Sequence, residues 1–184
     1  MGVASDRFWW FTPLQIATTV VAGMNCGASA LQSPLTWPML QEGVDVPVHY
    51  VGRQTENLLR GSEFLFPPFN AFCTLGNLVM AGFAYYNPHS PRAEKLRLFS
   101  IATGMHIAIT VYTLTIMAPY NTKLKVASKK LNRGIAQGEE DKAPSQRQAA
   151  EEFRDAQKVW KFRNYGRGLV MLVAVTTSAI ALSS

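Results

Sequence analysis

The residues with chemical reach in this chain stand inside apolar sequence. His106 lies in LFSIATGMHIAITVYTLTIMAPY, with Thr103, Thr110 and Thr113 around it at spacings of 3, 4 and 3. That spacing sets all four on one face of a helix. Imidazole is the side chain that gains and loses a proton near neutral pH. A histidine on a polar stripe of an apolar helix is therefore a candidate general base. The competing reading is a histidine hydrogen-bonded within a helix bundle, without chemistry. Two further stripes accompany it. Thr18, Asn25, Ser29 and Gln32 are spaced 7, 4 and 3, and Asn70, Thr74 and Asn77 are spaced 4 and 3. Polar groups in lipid face other helices or a cavity, so three stripes point to a shared polar interior, where Asn25 and Asn77 could contact a bound molecule. Interhelical hydrogen bonds of about 0.6 kcal/mol each, serving only to hold a bundle, would give the same pattern.

A second group gathers where apolar runs meet polar sequence: Trp37, His49 and Tyr50; Pro67 and Pro68; Pro119, Tyr120 and Asn121; Trp160, Asn164 and Arg167. Interfacial Trp and Tyr are common membrane anchors, which accounts for part of it. Arg167 is harder to assign to anchoring. It follows Asn164 by three residues on the same helical face and could snorkel to the surface, hold a lipid headgroup or bind an anionic ligand. His89, in the turn NPHSP, is expected to have no role. Three histidines without HxxxH or HxxE spacing give no metal signature. Cys26 and Cys73 both fall in apolar windows and read as free thiols.

The elements that must position these residues follow from charge. No Asp, Glu, Lys or Arg occurs between Arg7 and Glu42, between Glu63 and Arg92, between Arg97 and Lys123, or after Arg167. A membrane-crossing helix needs about 20 mostly apolar residues, and each window holds one. Such a chain is not an ordinary soluble enzyme, a disordered segment, a disulfide-stapled domain or a β-barrel porin. The mean hydropathy of +0.03 hides this, because one charged stretch dilutes four apolar ones.

The expected fold is all-α: a single domain over 1–184, an integral membrane four-helix bundle with spans at about 11–34, 64–86, 98–120 and 165–183. The N-terminal run imitates a signal peptide ending at Ala28-Ser29-Ala30, but its length favours a retained span. Gly23 and Gly27 form a GxxxG pair suited to close helix packing. The stretch 35–63, with Pro34, Pro38, Gly43, Pro47 and Gly52, reads as beginning irregular, with a short interfacial helix at ENLLRGSEF, and Pro119 is expected to end span three. Within 121–164, Leu124, Ala127, Leu131 and Ile135, then Ala149, Phe153, Ala156 and Trp160, keep helical periods on either side of QGEEDKAPSQ. They predict an extramembrane helical hairpin between spans three and four.

The formal net charge is +6, and eleven of the eighteen Lys and Arg lie between Lys123 and Arg163. Clustering in one loop fits the positive-inside rule better than nucleic-acid binding, and puts the first and third loops in the cytosol and both termini outside it. The endoplasmic reticulum is the expected membrane.

The residues also carry a resemblance. Met117-Ala118-Pro119-Tyr120-Asn121-Thr122-Lys123-Leu124 resembles the Pro-x-Asn, then Leu, motif of the anthrone oxygenase family, small four-span membrane proteins of fungal polyketide pathways. Trp160, Asn164 and Arg167 are similar to that family's entry into the last span, and His49-Tyr50-Val51-Gly52 to its aromatic-glycine loop. The resemblance covers most of the chain. It implies oxidation of an anthrone to an anthraquinone by O₂ with no added cofactor. Such a reaction needs a base for an acidic C–H, a stabiliser for the enolate oxygen and an apolar slot for a flat ring system. His49 or His106 would be the base. Arg167 or Asn121 would stabilise the oxyanion. Tyr50, Asn121, Asn164, Tyr120, Trp160, Asn25 and Asn77 would hold the substrate. The partners expected are a lipophilic aromatic substrate, O₂ and the bilayer, without nucleic acid; a homo-oligomer is compatible with the sequence. A cofactor-free cyclase or isomerase of a lipophilic metabolite would use the same base and slot, and a four-span scaffold or transporter would need neither.

Overall fold

The computed structural model describes residues 8–36, 48–136 and 144–184. They form helices α1 (Phe11–Thr36), α2 (Val48–Tyr86), α3 (Leu96–Tyr112), α4 (Ala118–Ala136) and α5 (Pro144–Ser183). A 3₁₀ turn, Pro91–Lys95, precedes α3, and a π-helical turn, Thr113–Met117, joins α3 to α4. No strand occurs among the described residues. Four stretches, Phe11–Gln32, Tyr50–Tyr86, Pro91–Arg133 and Pro144–Ser183, are long and apolar enough to cross a membrane. The fold is the all-α, four-span helical bundle that the charge gaps predict.

The chain divides into two compact units. The first unit comprises 1–27, 67–110 and 169–184; the second comprises 28–66 and 111–168. Gly27, Pro67, the π turn and Gly168 lie at or beside these boundaries.

In the first unit, Phe11, Met80, Ala81, Phe99 and Ala181 form one core cluster and Ile109, Met171 and Ala174 another. Much of the remaining interior is polar: Gln15, Thr18, Asn25, Asn70, Asn77, Thr103 and His106 are buried, while Leu75, Leu78, Ile107, Leu172 and Ile180 are exposed. In water that inversion would be costly. In lipid it is expected, because hydrocarbon solvates leucine and rejects amides. Gly76 lets α1 approach α2: a Cβ there would meet Thr18 Oγ1 at 2.6 Å.

The second unit has an apolar core of its own. Val51, Leu59, Leu124, Ala127, Leu131, Phe153 and Trp160 share one apolar core, so the helical periods read in 124–131 and 149–160 are its inward faces, and the side chain of Ile135 lies outside the described residues. Charges lie outside, with Lys130 Nζ 2.7 Å from Glu152 and Lys125 paired with Glu63.

Three local expectations are corrected. Gly52 and the ENLLRGSEF stretch belong to α2, which begins at Val48 and runs unbroken to Tyr86. Gly52 is no breaker, because it is where α4 touches α2: its carbonyl accepts from Ser128 Oγ at 2.8 Å, and a Cβ there would lie 3.4 Å from that oxygen. Pro119 does not end its helix. A proline clashes with the carbonyl four residues back and lacks a donor, but the preceding turn is already widened: the Ala118 N–H bonds to Thr113 O, an i→i−5 bond, and the helix continues. Gly23 and Gly27 make no close approach, since a Cβ at either would meet nothing within 4 Å.

Candidate active site

His106 sits on the inward face of α3 and is 2% exposed. Its Nδ1 lies 2.8 Å from Asn70 Oδ1 on α2. The Asn70 amide is oriented by what surrounds it. Nδ2 donates to His106 O at 2.9 Å and to Thr110 Oγ1 at 2.7 Å. A backbone carbonyl can only accept, so the nitrogen must face it and Oδ1 must face the imidazole. Oδ1 in turn can only accept, so in the neutral ring the proton resides on Nδ1. Nε2 then carries the lone pair, and that atom is buried with no hydrogen-bond partner among the described residues. A neutral histidine held by an acceptor on one nitrogen and open on the other can take up a proton at the open one.

Other polar atoms of the same interior are similarly unmet. Asn25 Nδ2 and Oδ1, Gln15 Nε2 and Asn77 Oδ1 are buried without partners among the described residues, although Asn77 Nδ2 donates to Cys73 O at 2.8 Å. Buried amides normally find partners, so a group left open marks a place for water or a ligand. The thiols nearby are free, Cys73 buried and Cys26 half-buried. Cys73 Sγ donates to Thr18 O at 3.6 Å.

The second unit holds the interfacial residues. Trp160 Nε1 donates to Asn121 Oδ1 at 2.7 Å, joining α5 to α4. Asn164 Nδ2 donates to Ser29 O at 3.0 Å, and Arg167 Nη2 to Gln32 Oε1 at 3.0 Å. Gln32 Nε2 continues to Ser62 Oγ at 3.0 Å. The Arg167 guanidinium stands 5.2 Å from the Phe66 ring centroid, and Arg163 stands 4.3 Å over Tyr120. Tyr112 Oη donates to Arg163 O at 2.8 Å.

Of the residues singled out in the sequence, His106, Asn25 and Asn77 share the interior of the first unit, and Asn121, Trp160, Asn164, Arg167 and Tyr120 belong to the second. Tyr50 is in the second unit and is exposed. His49 falls in α2, but its side chain lies outside the described residues, as does Trp37 altogether. Gln15 was not singled out. It stands three residues before Thr18 on the same inward stripe, so the spacing could have shown it. Asn70 was legible as a stripe member, but its role as the partner that sets the tautomer of His106 was not, because that depends on which helices are neighbours. No group of three or more His, Cys, Asp and Glu able to hold a metal occurs among the described residues.

The sequence pattern of a family described as anthrone oxygenase matches residues 57–177. No curated protein and no solved structure matches the chain.

Proposed function

This chain belongs to the anthrone oxygenase family, and from that premise we propose that it oxidises an anthrone-type polyketide to an anthraquinone, with His106 as the general base. The observation that carries the proposal is the buried Nε2 lone pair, held open while Nδ1 is engaged by Asn70. The methylene of an anthrone is acidic because its carbanion is delocalised over two aryl rings and the carbonyl. His106 Nε2 takes one methylene proton and leaves an enolate. Amide N–H groups with no other partner, those of Asn25 and Gln15, are the donors proposed for its oxygen.

The electron-rich enolate reduces O₂, a C–O bond forms, and the peroxide anion recovers the proton from His106. Loss of the second methylene proton as the O–O bond breaks yields the new carbonyl and water. One anthrone and one O₂ thus give one anthraquinone and one water. The substrate and O₂ are both more soluble in hydrocarbon than in water, which suits a site between apolar helices. We further propose that the basic 123–163 stretch faces the cytosol, as positive-inside asymmetry favours, in the endoplasmic reticulum.

The test uses the purified protein in nanodiscs with 1,8-dihydroxyanthrone, following O₂ uptake and quinone absorbance against a protein-free blank. The expected result is one O₂ consumed per quinone formed, with His106→Ala reduced by about 10²- to 10⁴-fold and His49→Ala unchanged. Full activity in His106→Ala would remove the base from the proposal. Conversion of the anthrone without O₂ uptake would instead indicate a cyclase or isomerase.

A further inference from the structure

Arg167 is 6% exposed and has no carboxylate among its partners in the described chain. Its contacts are neutral: Nη2 donates to Gln32 Oε1 at 3.0 Å, and the Phe66 ring lies 5.2 Å from the guanidinium carbon. Nε is buried with nothing to donate to among the described residues. Three residues before its partner Gln32, Ser29 Oγ is fully buried and equally unmet among the described residues. Both groups are held in register by one pair of helices. Ser29 and Gln32 are one turn apart on α1, Asn164 and Arg167 one turn apart on α5, and the bonds Asn164 to Ser29 O and Arg167 to Gln32 tie the two turns together.

Removing a guanidinium from water is expensive unless an opposite charge and hydrogen bonds replace the solvent. A carboxamide oxygen and an aromatic face supply part of that and no countercharge. Among the described acids of this unit, Glu63 is paired with Lys125, Glu56 with Arg60, and Glu151, Glu152 and Asp155 are exposed. The missing partner is then not part of the described chain. The fork of a guanidinium matches the two oxygens of a carboxylate or phosphate. Gln32 fixes one arm and Phe66 fixes the plane, which leaves Nε and Ser29 Oγ as the donors for the guest.

We propose that Arg167, with Ser29, forms an oxyanion-binding site that takes a carboxylate or phosphate group from outside the chain. This does not depend on His106 being a base. The oxyanion has two sources: an acid group on an aromatic substrate, or the headgroup of a membrane lipid. Both are tested on the full-length protein in nonionic detergent. Binding of anthracene-2-carboxylate and of its uncharged methyl ester is measured by fluorescence. Retention of phosphatidylglycerol against diacylglycerol is measured by native mass spectrometry.

The expected result is that at least one oxyanion binds about tenfold or more tightly than its uncharged counterpart, and that Arg167→Gln abolishes that preference while leaving the uncharged ligand within about twofold. Preference for the anthracene acid assigns the site to substrate, and preference for the phospholipid alone assigns it to a headgroup. A preference that survives in Arg167→Gln, or the absence of any preference in the wild type, overturns the site. Should Arg167→Gln fail to fold, the wild-type comparison decides: a preference for either oxyanion upholds the proposal, and equal binding of acid and ester with equal retention of both lipids sinks it.

Discussion

Both units leave buried neutral polar atoms open, and only the second also buries a cation. The first buries neutral ones. Its amides and imidazole carry no formal charge in the proposed resting state, and several of their atoms are left open: Nε2 of His106, both amide atoms of Asn25, Oδ1 of Asn77. The second leaves both amide atoms of Gln157 and the hydroxyls of Thr55 and Ser29 open in the same way, but it also buries one cation, Arg167, tied to Gln32, beside an apolar core. A lone pair kept open can take a proton, and a fixed cation can hold an anion. The difference teaches what each kind of open group costs: an open neutral amide about 1–3 kcal/mol, an open buried charge several more. If the first interior is the reactive one, its variants should lose turnover out of proportion to stability.

Removal of His106 is the largest expected effect, and replacement of Asn70 sharpens it. Asn70→Ala deletes the acceptor that holds the Nδ1 proton and the donor to Thr110. The imidazole keeps its place on α3 but can present either tautomer. Turnover is expected to fall by about 10- to 100-fold, with KM changed far less than kcat, because the loss lies in orientation of the base. An NMR experiment on 15N-imidazole-labelled protein supplies the independent readout: Nδ1-protonated in the wild type, mixed in the variant. An unchanged tautomer with unchanged turnover would show that Asn70 only joins two helices.

Much of this division was legible in the sequence, and the reason lies in the residues. Charge gaps mark the four spans, because one ionised side chain in hydrocarbon outweighs many small preferences. The periods at 124–131 and 149–160 mark the core of the second unit, because leucine and phenylalanine repeat where a helix is half-covered. The stripes through Asn25, Asn70 and His106 point inward for the same reason that leucines there point out. What the sequence did not reveal was pairing. Nothing in the spacing says that Asn70 meets His106 rather than Asn25, or that Arg167 meets Gln32, since those contacts depend on which helices are neighbours and on their rotation. Pro119 misled because the rule that proline ends a helix assumes an α-turn before it, and a π turn stands there instead.

Two glycines offer a stability counterpart, one in each unit. A Cβ at Gly76 would lie 2.6 Å from Thr18 Oγ1, and one at Gly166 would lie 2.6 Å from Tyr112 Oη. The obstacles differ in stiffness. Thr18 is β-branched, and its hydroxyl is engaged with Leu14 O at 2.7 Å, so it has little room to turn. Tyr112 Oη is the tip of a long side chain that can give way by releasing its bond to Arg163 O. Gly76→Ala is expected to destabilise by about 1–3 kcal/mol, and Gly166→Ala by less, as read by thermal unfolding in the same detergent. The reverse order would mean that the contact between α1 and α2 is looser than the interior of the first unit requires.

The smallest effect expected is at the ion pair between Lys130 and Glu152, and its smallness is informative. The Nζ lies 2.7 Å from Glu152 Oε2, a close contact by distance, yet the two side chains are 55% and 43% exposed. Water screens the attraction, and holding two long side chains in one geometry costs entropy, so such pairs contribute about 0–1 kcal/mol. Lys130→Met should therefore shift stability by less than about 1 kcal/mol, and high salt should remove most of that shift. Turnover should be unchanged, because the residue touches neither polar interior. A loss as large as that of Gly76→Ala would mean that the second unit depends on its surface charges rather than on its apolar core.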